Sequence, residues 1–333
     1  MVQMSRRKVL ESFCASAAGL ALGQSAYAQP FPARPVTLLV PYPAGGTSDQ
    51  IARAITPALT KALGQPVIVE NLGGATGAVA ARKLLNAPAD GYSVFVGSPN
   101  ELILGPLANA SAPFKSEDFR MVQKLGDLTL AALGRGDLPA SNMDQLVAYA
   151  KRRANEGNPL TFGSTGPGSI YHLLGEQMAK LIGVPMIHVP YRGGGPMQID
   201  LLAGRIDLYL GGMGTVYTGS VASGKLKMLG MISSSRLDTF KDIPLVRETK
   251  GFKDYEYGLW LGLQVRKETP EPIVDVLRKA VVTAMSDPAY IRAAEASQVI
   301  VSTQQTSTQA NEVYSASIAQ YGAIAKSINL QPQ

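Results

Sequence analysis

The chain has 333 residues, of which 46% are hydrophobic, with 34 glycines, 22 prolines and a formal net charge of +6. This length exceeds what one hydrophobic core usually serves, so we expect a turn-rich globular protein of two domains. The charge is a mild bias and lacks the dense Lys/Arg clustering of a nucleic-acid binder, which excludes nucleic acid as a partner.

The first 28 residues have the pattern of an export leader. A charged start with Arg6, Arg7 and Lys8 precedes an Ala/Gly-rich apolar stretch, and small residues follow up to Ala28. The pattern predicts cleavage before Gln29. The paired arginines favour a twin-arginine signal over an ordinary secretory leader that happens to carry two arginines.

Cysteine and histidine usage limits the chemistry of the mature chain. Its one cysteine, Cys14, lies inside the leader, and removal of the leader leaves 28 basic and 24 acidic residues. We therefore expect no disulfide and no cysteine nucleophile. His172 and His188 are the two histidines, and no His/Asp/Glu cluster has metal-ligand spacing, so the sequence predicts neither a metal nor another cofactor.

Strand and helix patterns alternate from Arg34 onward, which predicts an α/β protein with parallel sheets. Short apolar runs typical of buried strands lie at Val36–Val40, Val67–Glu70, Ser93–Gly97, Leu128–Leu133, Leu160–Phe162, Met186–Tyr191 and Ile206–Leu210. Helices are predicted from Thr47 to Gly64, from Gly77 through Leu85, near Asp144–Arg153, from Ser169 to Ile182, after Pro196, and in three segments after Pro270. The simplest interpretation is a second domain inserted within the first.

Three glycine-rich turns each connect a predicted strand to a helix start. They are Pro41–Asp49, Gly163–Ser169 and Tyr191–Pro196. Helix N-termini present unpaired N–H groups and a favourable dipole to anions, and ligands of open α/β sheets bind at the carboxyl ends of the strands. One such turn is an ordinary connector, but three predict an anion-binding cleft.

The sequence contains no recognised catalytic motif. It lacks the G-x-S-x-G elbow of serine hydrolases and the G-K-[ST] of a P-loop. His172 could contact a ligand, although a helix-start histidine bonded to backbone is the favoured alternative, and His188 within a strand is interpreted as structural. Asp49 could bind a ligand ammonium, but stabilising the first turn is its favoured role.

The segment from Pro35 to Asp49 resembles the opening motif of the substrate-binding proteins of tripartite tricarboxylate transporters, the Bug or TctC family. Further stretches match that family in order and spacing: Gly64–Asn71, Ala89–Tyr92, Gly97-Ser98, Phe162–Gly168, His188–Gly193, Gly204–Asp207 and Trp260–Gly262. Together these motifs are specific, and the resemblance runs from Pro35 to the C-terminus.

The resemblance implies a type II periplasmic binding protein, with two Rossmann-like domains and a ligand cleft between them. We expect domain 1 to comprise 29–126 and 251–333, and domain 2 to comprise 127–250. The implied function is periplasmic capture of a small carboxylate by a monomeric receptor, without catalysis, for the membrane permease subunits of a tripartite tricarboxylate transporter. An exported enzyme acting on a small carboxylic acid and an exported sensor feeding a signalling partner are the alternatives.

The predicted ligand-binding residues come from all three turns and their surroundings. They are Tyr42, Ala44, Gly45, Gly46, Thr47, Ser48, Asp49, Ser98, Ser164, Thr165, Gly166, Ser169, His172, Tyr191, Gly194 and Met213. Most are carried over by motif, whereas His172 is included for its place on the helix after the second turn and Met213 for the segment that departs from the family. One segment departs from the family pattern, because Leu210–Thr215 has Gly211 and Met213 in place of polar bulk. As a hypothesis, this departure predicts a pocket for a larger or aromatic acid. The sequence does not identify the acid, its affinity, or the permease.

Overall fold

A computed structural model of the chain describes residues 31–109, 112, 114–233, 236, 238–327 and 330. The predicted export leader and its cleavage site lie outside these residues. Among the residues described, no helix combines the length and apolar character needed to cross a bilayer.

Eleven strands lie within the described residues. They are β1 (Val36–Val40), β2 (Val67–Asn71), β3 (Ser93–Gly97), β4 (Phe119–Leu128), β5 (Leu130–Arg135), β6 (Thr161–Ser164), β7 (Ile187–Pro190), β8 (Leu208–Gly212), β9 (Leu226–Met231), β10 (Leu259–Arg266) and β11 (Val299–Val301).

Ten α-helices connect the strands of the described part. They are α1 (Thr47–Leu63), α2 (Ala78–Asn86), α3 (Gly105–Ala108), α4 (Met143–Asn155), α5 (Ile170–Ile182), α6 (Gly194–Leu202), α7 (Thr215–Ala222), α8 (Glu271–Met285), α9 (Pro288–Ala296) and α10 (Ser307–Ser327). A π-helical turn, Asn100–Leu104, leads from β3 into α3.

The strands form two sheets. The six-stranded sheet has the order β11-β4-β10-β3-β1-β2, and the five-stranded sheet has the order β7-β6-β8-β5-β9. Successive strands β4 and β5 belong to different sheets, and the chain returns to the first sheet between β9 and β10. The α/β fold class is confirmed, whereas the exact domain boundaries stay a prediction.

The prediction of parallel sheets is wrong for part of each sheet. Strands β1, β2 and β3 pair in parallel, as do β6, β7 and β8. Strand β10 is antiparallel to β3 and β4, and β5 is antiparallel to β8 and β9. The alternating strand–helix pattern identifies the parallel units, but β4, β9, β10 and β11 do not belong to such units and were not predicted.

Helix α1 illustrates why local sequence places these elements. Its apolar residues Ile51, Ile55 and Leu59 recur at helical spacing and are 0–1% exposed, so one face packs into the core. The helix ends at Gly64, which adopts φ +66° and donates its N–H to the Thr60 carbonyl. The N-terminus of α1 lies at the carboxyl end of β1, because only a short turn separates Val40 from Thr47.

Candidate functional site

A buried carboxylate hydrogen-bonds to the first glycine-rich turn. Asp49, 3% exposed, accepts the Gly45 N–H at 2.9 Å and also accepts Arg53 Nε at 2.9 Å and Asn71 Nδ2 at 3.0 Å. Burial opposes ionisation, but the hydrogen bonds from Arg53, Gly45 and Asn71 lower the pKa of Asp49. One carboxylate oxygen therefore fixes the turn, and the other binds Arg53 and Asn71.

The helix start above Asp49 has no side-chain cap. Gly46 is the N-cap of α1, in an extended conformation with φ −77° and ψ 170°, and it offers no side-chain acceptor to the first-turn N–H groups. Gly46, Thr47 and Ser48 line a cavity. The start of α1 thus presents backbone donors where an anion can approach.

The second turn uses most of its own polar side chains internally. Ser169 caps α5 by accepting the His172 N–H, and Ser164 Oγ accepts the Gly166 N–H at 3.1 Å. Thr165 differs, because its Oγ1 is buried and has no hydrogen-bond partner among the residues described. Thr165 lines the cleft, and its unpartnered hydroxyl oxygen is shielded from solvent.

The two histidines contact the second turn through hydrogen bonds to Ser164 and Gly168. Their rings stack at 4.0 Å, His188 Nε2 lies 2.6 Å from Ser164 Oγ, and His172 Nδ1 accepts the Gly168 N–H at 3.1 Å. Burial lowers the pKa of His172, and burial together with the neighbouring His172 lowers the pKa of His188 to about 4. Both rings are therefore neutral at neutral pH and keep the turn in shape.

The third turn brings glycine backbone and a cation to the cleft. Gly194 and Gly195 begin α6 and line the first cavity, and an added Cβ at either would meet no atom within 4 Å. The Tyr191 hydroxyl donates to Asp200 at 2.8 Å, and burial and this bond raise the pKa of Tyr191 to about 12. Arg192 is exposed and lines a second cavity beside the first.

A buried carboxyl group supports the Tyr42 side of the cleft. Glu101, 1% exposed, accepts hydrogen bonds from the Tyr42 hydroxyl and from the Ser98 N–H and hydroxyl. Burial raises the pKa of Glu101 despite these bonds. Asn100 donates to Tyr42 Oη at 2.7 Å and accepts the Ile170 N–H at 2.8 Å, which ties the β3 end to the start of α5.

The cleft consists of two adjoining cavities of about 190 and 770 Å³. Tyr42, Pro43 and Thr165 line both. The remaining lining residues of the smaller cavity are Ala44, Gly45, Gly46, Thr47, Ser48, Gln50, Leu128, Tyr171, Gly194, Gly195, Pro196, Met197, Gln198, Tyr209, Gly212, Gly214, Val216 and Tyr217. Among the residues that the structure describes, none of those lining it is charged, so backbone groups and neutral side chains must recognise any ligand there.

The structure brings together ten of the sixteen predicted site residues along this cleft. They are Tyr42, Ala44, Gly45, Gly46, Thr47, Ser48, Thr165, Gly166, Tyr191 and Gly194. The other six, Asp49, Ser98, Ser164, Ser169, His172 and Met213, are not among the lining residues, and the first five hydrogen-bond to neighbouring protein groups. Direct ligand contact by any of the sixteen stays a prediction.

The segment that departs from the family pattern is placed differently from our hypothesis. Met213 is 0% exposed and packs in the core beside the five-stranded sheet. A Cβ at Gly211 would lie 2.5 Å from ring atoms of Tyr171 and Tyr209, so Gly211 makes room for these rings rather than for a ligand. Tyr171, Tyr209 and Tyr217 line the cavity. The sequence reasoning missed them because no local pattern separates a cleft tyrosine from a core tyrosine.

The chain is similar to proteins of known family and to several solved structures. The model of the tripartite tricarboxylate transporter family receptor matches residues 51–330. The periplasmic binding protein BugD is 28% identical with a TM-score of 0.80, covering 91% of this chain and 100% of its own. MatC from Rhodopseudomonas palustris, solved with bound malate, is 26% identical with a TM-score of 0.81, covering 88% and 99%. An R. palustris protein with adipate is 26% identical with a TM-score of 0.83, covering 91% and 100%.

These findings confirm the resemblance recognised in the sequence motifs. The matched family and these structural neighbours are substrate-binding proteins, not enzymes. The Ser164–His188 contact is therefore a support for the second turn and not a catalytic pair. With a family match over residues 51–330 and the shared α/β fold, the chain belongs to the receptors of the tripartite tricarboxylate transporter family.

Proposed function

We propose that this protein is a periplasmic receptor that captures a small organic carboxylate in the cleft and delivers it to the permease of a tripartite tricarboxylate transporter. The observation that carries the proposal is that the helix starts of α1 and α6 line one cavity together with Thr165. Family membership and the malate and adipate of two structural neighbours support the carboxylate class.

The cleft chemistry favours an anion of modest charge. The N-termini of α1 and α6 supply backbone donors and partial positive charge, and Thr165 supplies a hydroxyl donor. Arg192 lines the adjoining cavity and has no ion pair among the described side chains, so it adds a positive charge beside the smaller cavity. A carboxylate is a strong acceptor for these backbone donors, whereas a neutral ligand leaves them without one.

Export is the other half of the proposal. The leader pattern with Arg6, Arg7 and the small residues before Gln29 supports cleavage at that point and folding before transport. The mature receptor then works as a monomer in the periplasm. The two sheets support a two-domain receptor with the ligand between its domains.

Binding calorimetry on the mature protein tests the proposal. Malate, adipate and benzoate are titrated, with their neutral amides as the matched comparison. We expect saturable binding of at least one acid, no binding of its amide, and recovery of the acid unchanged. Failure of every acid, or equal binding of acid and amide, overturns carboxylate capture.

The Thr165→Val variant tests the turn itself. The substitution keeps the β-branched shape and removes the hydroxyl that we propose donates to the carboxylate, so affinity should fall about tenfold or more for every acid that binds. Thr129→Val is the control, because the Thr129 hydroxyl is also buried and unpartnered but does not line the cleft. Equal affinities in the two variants would remove Thr165 from the binding site.

A further inference from the structure

Three tyrosines form one aromatic wall of the smaller cavity. Tyr171 lies in the first turn of α5, Tyr209 in β8 and Tyr217 in α7. The Tyr171 and Tyr209 rings meet edge-on at 5.5 Å, and the Tyr209 and Tyr217 rings stack at 4.9 Å with 20° between their planes. We call these three residues the tyrosine wall. It stands on the elements of the five-stranded sheet, whereas the first glycine-rich turn belongs to the six-stranded sheet.

The hydroxyl of Tyr217 is the exception among the buried tyrosines. Tyr217 is 8% exposed, and its Oη has no hydrogen-bond partner within the described part of the chain. By contrast, Tyr255 donates to the Leu174 carbonyl at 2.7 Å and Tyr314 to the Ser116 carbonyl at 2.8 Å. Buried hydroxyls are normally bonded, because an unsatisfied one costs free energy. Tyr217 lines the cavity and its hydroxyl lacks a protein partner, so this hydroxyl is available to a ligand that displaces the atoms covering it.

The surroundings of the tyrosine wall include apolar side chains, and the wall itself presents flat rings. Leu128, Met197 and Val216 also line this cavity. Tyr171 and Tyr209 hydrogen-bond to each other, and Tyr209 donates toward the Gly212 carbonyl at 3.3 Å, so these hydroxyls are already engaged. Flat rings pack best against another flat ring, by offset stacking or edge contacts. The wall therefore fits an aromatic body better than a flexible chain.

The charge of the cavity restricts the second polar group of the ligand. One carboxylate is accommodated by the helix starts and Thr165, but none of the residues that line the smaller cavity is cationic. A second carboxylate beside the tyrosine wall would be desolvated without a counter-charge, which is costly. A neutral hydroxyl can accept or donate a hydrogen bond there at no such cost.

From these observations we propose that the ligand is a hydroxy-substituted aromatic monocarboxylate, and that the Tyr217 hydroxyl recognises its ring hydroxyl. This assignment rests on the proposed function, because it presumes that the carboxylate is held at the glycine-rich turns. It differs from the dicarboxylates of the two structural neighbours in the ring and in the single charge.

Calorimetry with 3- and 4-hydroxybenzoate, benzoate, adipate and malate tests the ligand class. We expect the better hydroxybenzoate to bind at least tenfold more tightly than benzoate, adipate or malate. Equal or tighter binding of adipate or malate overturns the aromatic class while leaving carboxylate capture intact. If no acid binds, the proposed function falls together with this assignment.

The Tyr217→Phe variant tests the hydroxyl. The ring and its stacking on Tyr209 are kept, so we expect the preference for hydroxybenzoate over benzoate to fall about tenfold and benzoate affinity to stay within a factor of two. The melting temperature of the unliganded variant should be equal or higher, because an unsatisfied hydroxyl is removed. An unchanged preference overturns the role of Tyr217.

Tyr314→Phe is the matched control. Its hydroxyl is buried and bonded to the Ser116 carbonyl, and Tyr314 does not line the cleft. We expect its melting temperature to fall and its hydroxybenzoate preference to equal that of the native protein. A loss of preference in this control would show that the effect in Tyr217→Phe is not local, and would overturn the assignment.

Discussion

At the scale of single residues, Gly46 is an open position on the cleft wall. Its φ of −77° suits any L-amino acid, and an added Cβ would meet no protein atom within 4 Å. A larger side chain there therefore occupies ligand space without straining the fold. This distinguishes Gly46 from Gly45, whose φ of +94° disfavours every residue with a side chain.

Replacing Gly46 with valine should abolish carboxylate binding and lower stability by only about 1 kcal/mol, because valine is a poorer N-cap than glycine. The branched side chain blocks approach of an anion to the N–H groups of α1, whereas the protein atoms around it have room. Calorimetry and urea denaturation measure the two effects. Gly322→Val, in α10 and equally free of contacts within 4 Å, serves as the control that keeps native affinity. Native affinity in Gly46→Val would show that the first turn does not bind the ligand.

At the scale of elements, the end of β8 determines the position of the tyrosine wall. Gly211 lies where a Cβ would come within 2.5 Å of both the Tyr171 and the Tyr209 ring. The glycine thus permits α5 to pack against β8 with aromatic side chains between them. This departure from the family pattern therefore leaves room for the rings of the tyrosine wall.

Introducing alanine at Gly211 should destabilise the protein by about 1–3 kcal/mol, the usual cost of overpacking, and weaken hydroxybenzoate binding, because the rings must shift. Urea denaturation and calorimetry on the same preparation report both changes. Gly219→Ala in α7 is the matched control, since its Cβ meets nothing within 4 Å and alanine favours helix by about 1 kcal/mol. Equal stability of the two variants would contradict the packing role of Gly211.

At the scale of the whole molecule, elements of the two sheets contact each other beside the cleft. The Asn100 side chain accepts the Ile170 N–H, and a Cβ on Gly168 would lie 1.8 Å from the Ala108 Cβ. The second turn therefore packs directly against the segment that follows β3. A change in the shape of the second turn, which the two histidines support, should therefore disturb this contact.

The contribution of His172 and His188 to stability should fall as pH decreases from about 6.5 to about 4. In this window the unfolded chain protonates His172 and His188, whose ordinary pKa is 6.5, while burial keeps their pKa lower in the folded protein. The unfolded state then binds more protons, so the free energy of unfolding decreases as pH falls. Urea denaturation at pH 7 and pH 5 measures the change.

The double variant His172→Gln/His188→Gln provides the comparison for this pH dependence. Its stability should change less between pH 7 and pH 5 than that of the native protein. Asp49 acts in a lower window, since hydrogen bonding lowers its pKa from 3.8. Identical pH dependence in the two proteins would refute a contribution from the histidine pair.

Much of the fold could be predicted from local pattern. The runs at β1, β2 and β3 and the helix signals at α1, α5 and α8 depend on neighbouring residues, because strand and helix periodicity and helix caps act within a few positions. Strands β10 and β11 could not be placed in this way. Their partner is β4, and that pairing joins segments more than 130 residues apart.

The sequence by itself determined the family, the α/β class and the three glycine-rich helix starts, because motif order and backbone preferences are local properties of the chain. Only the tertiary structure decided which polar groups are free. Ser164 is engaged by His188, Tyr42 by Glu101, and Thr165 and Tyr217 are left unpartnered. Whether a hydroxyl is left without a protein partner depends on which distant residues pack beside it. The packing between the elements determines those neighbours, and no local pattern contains them.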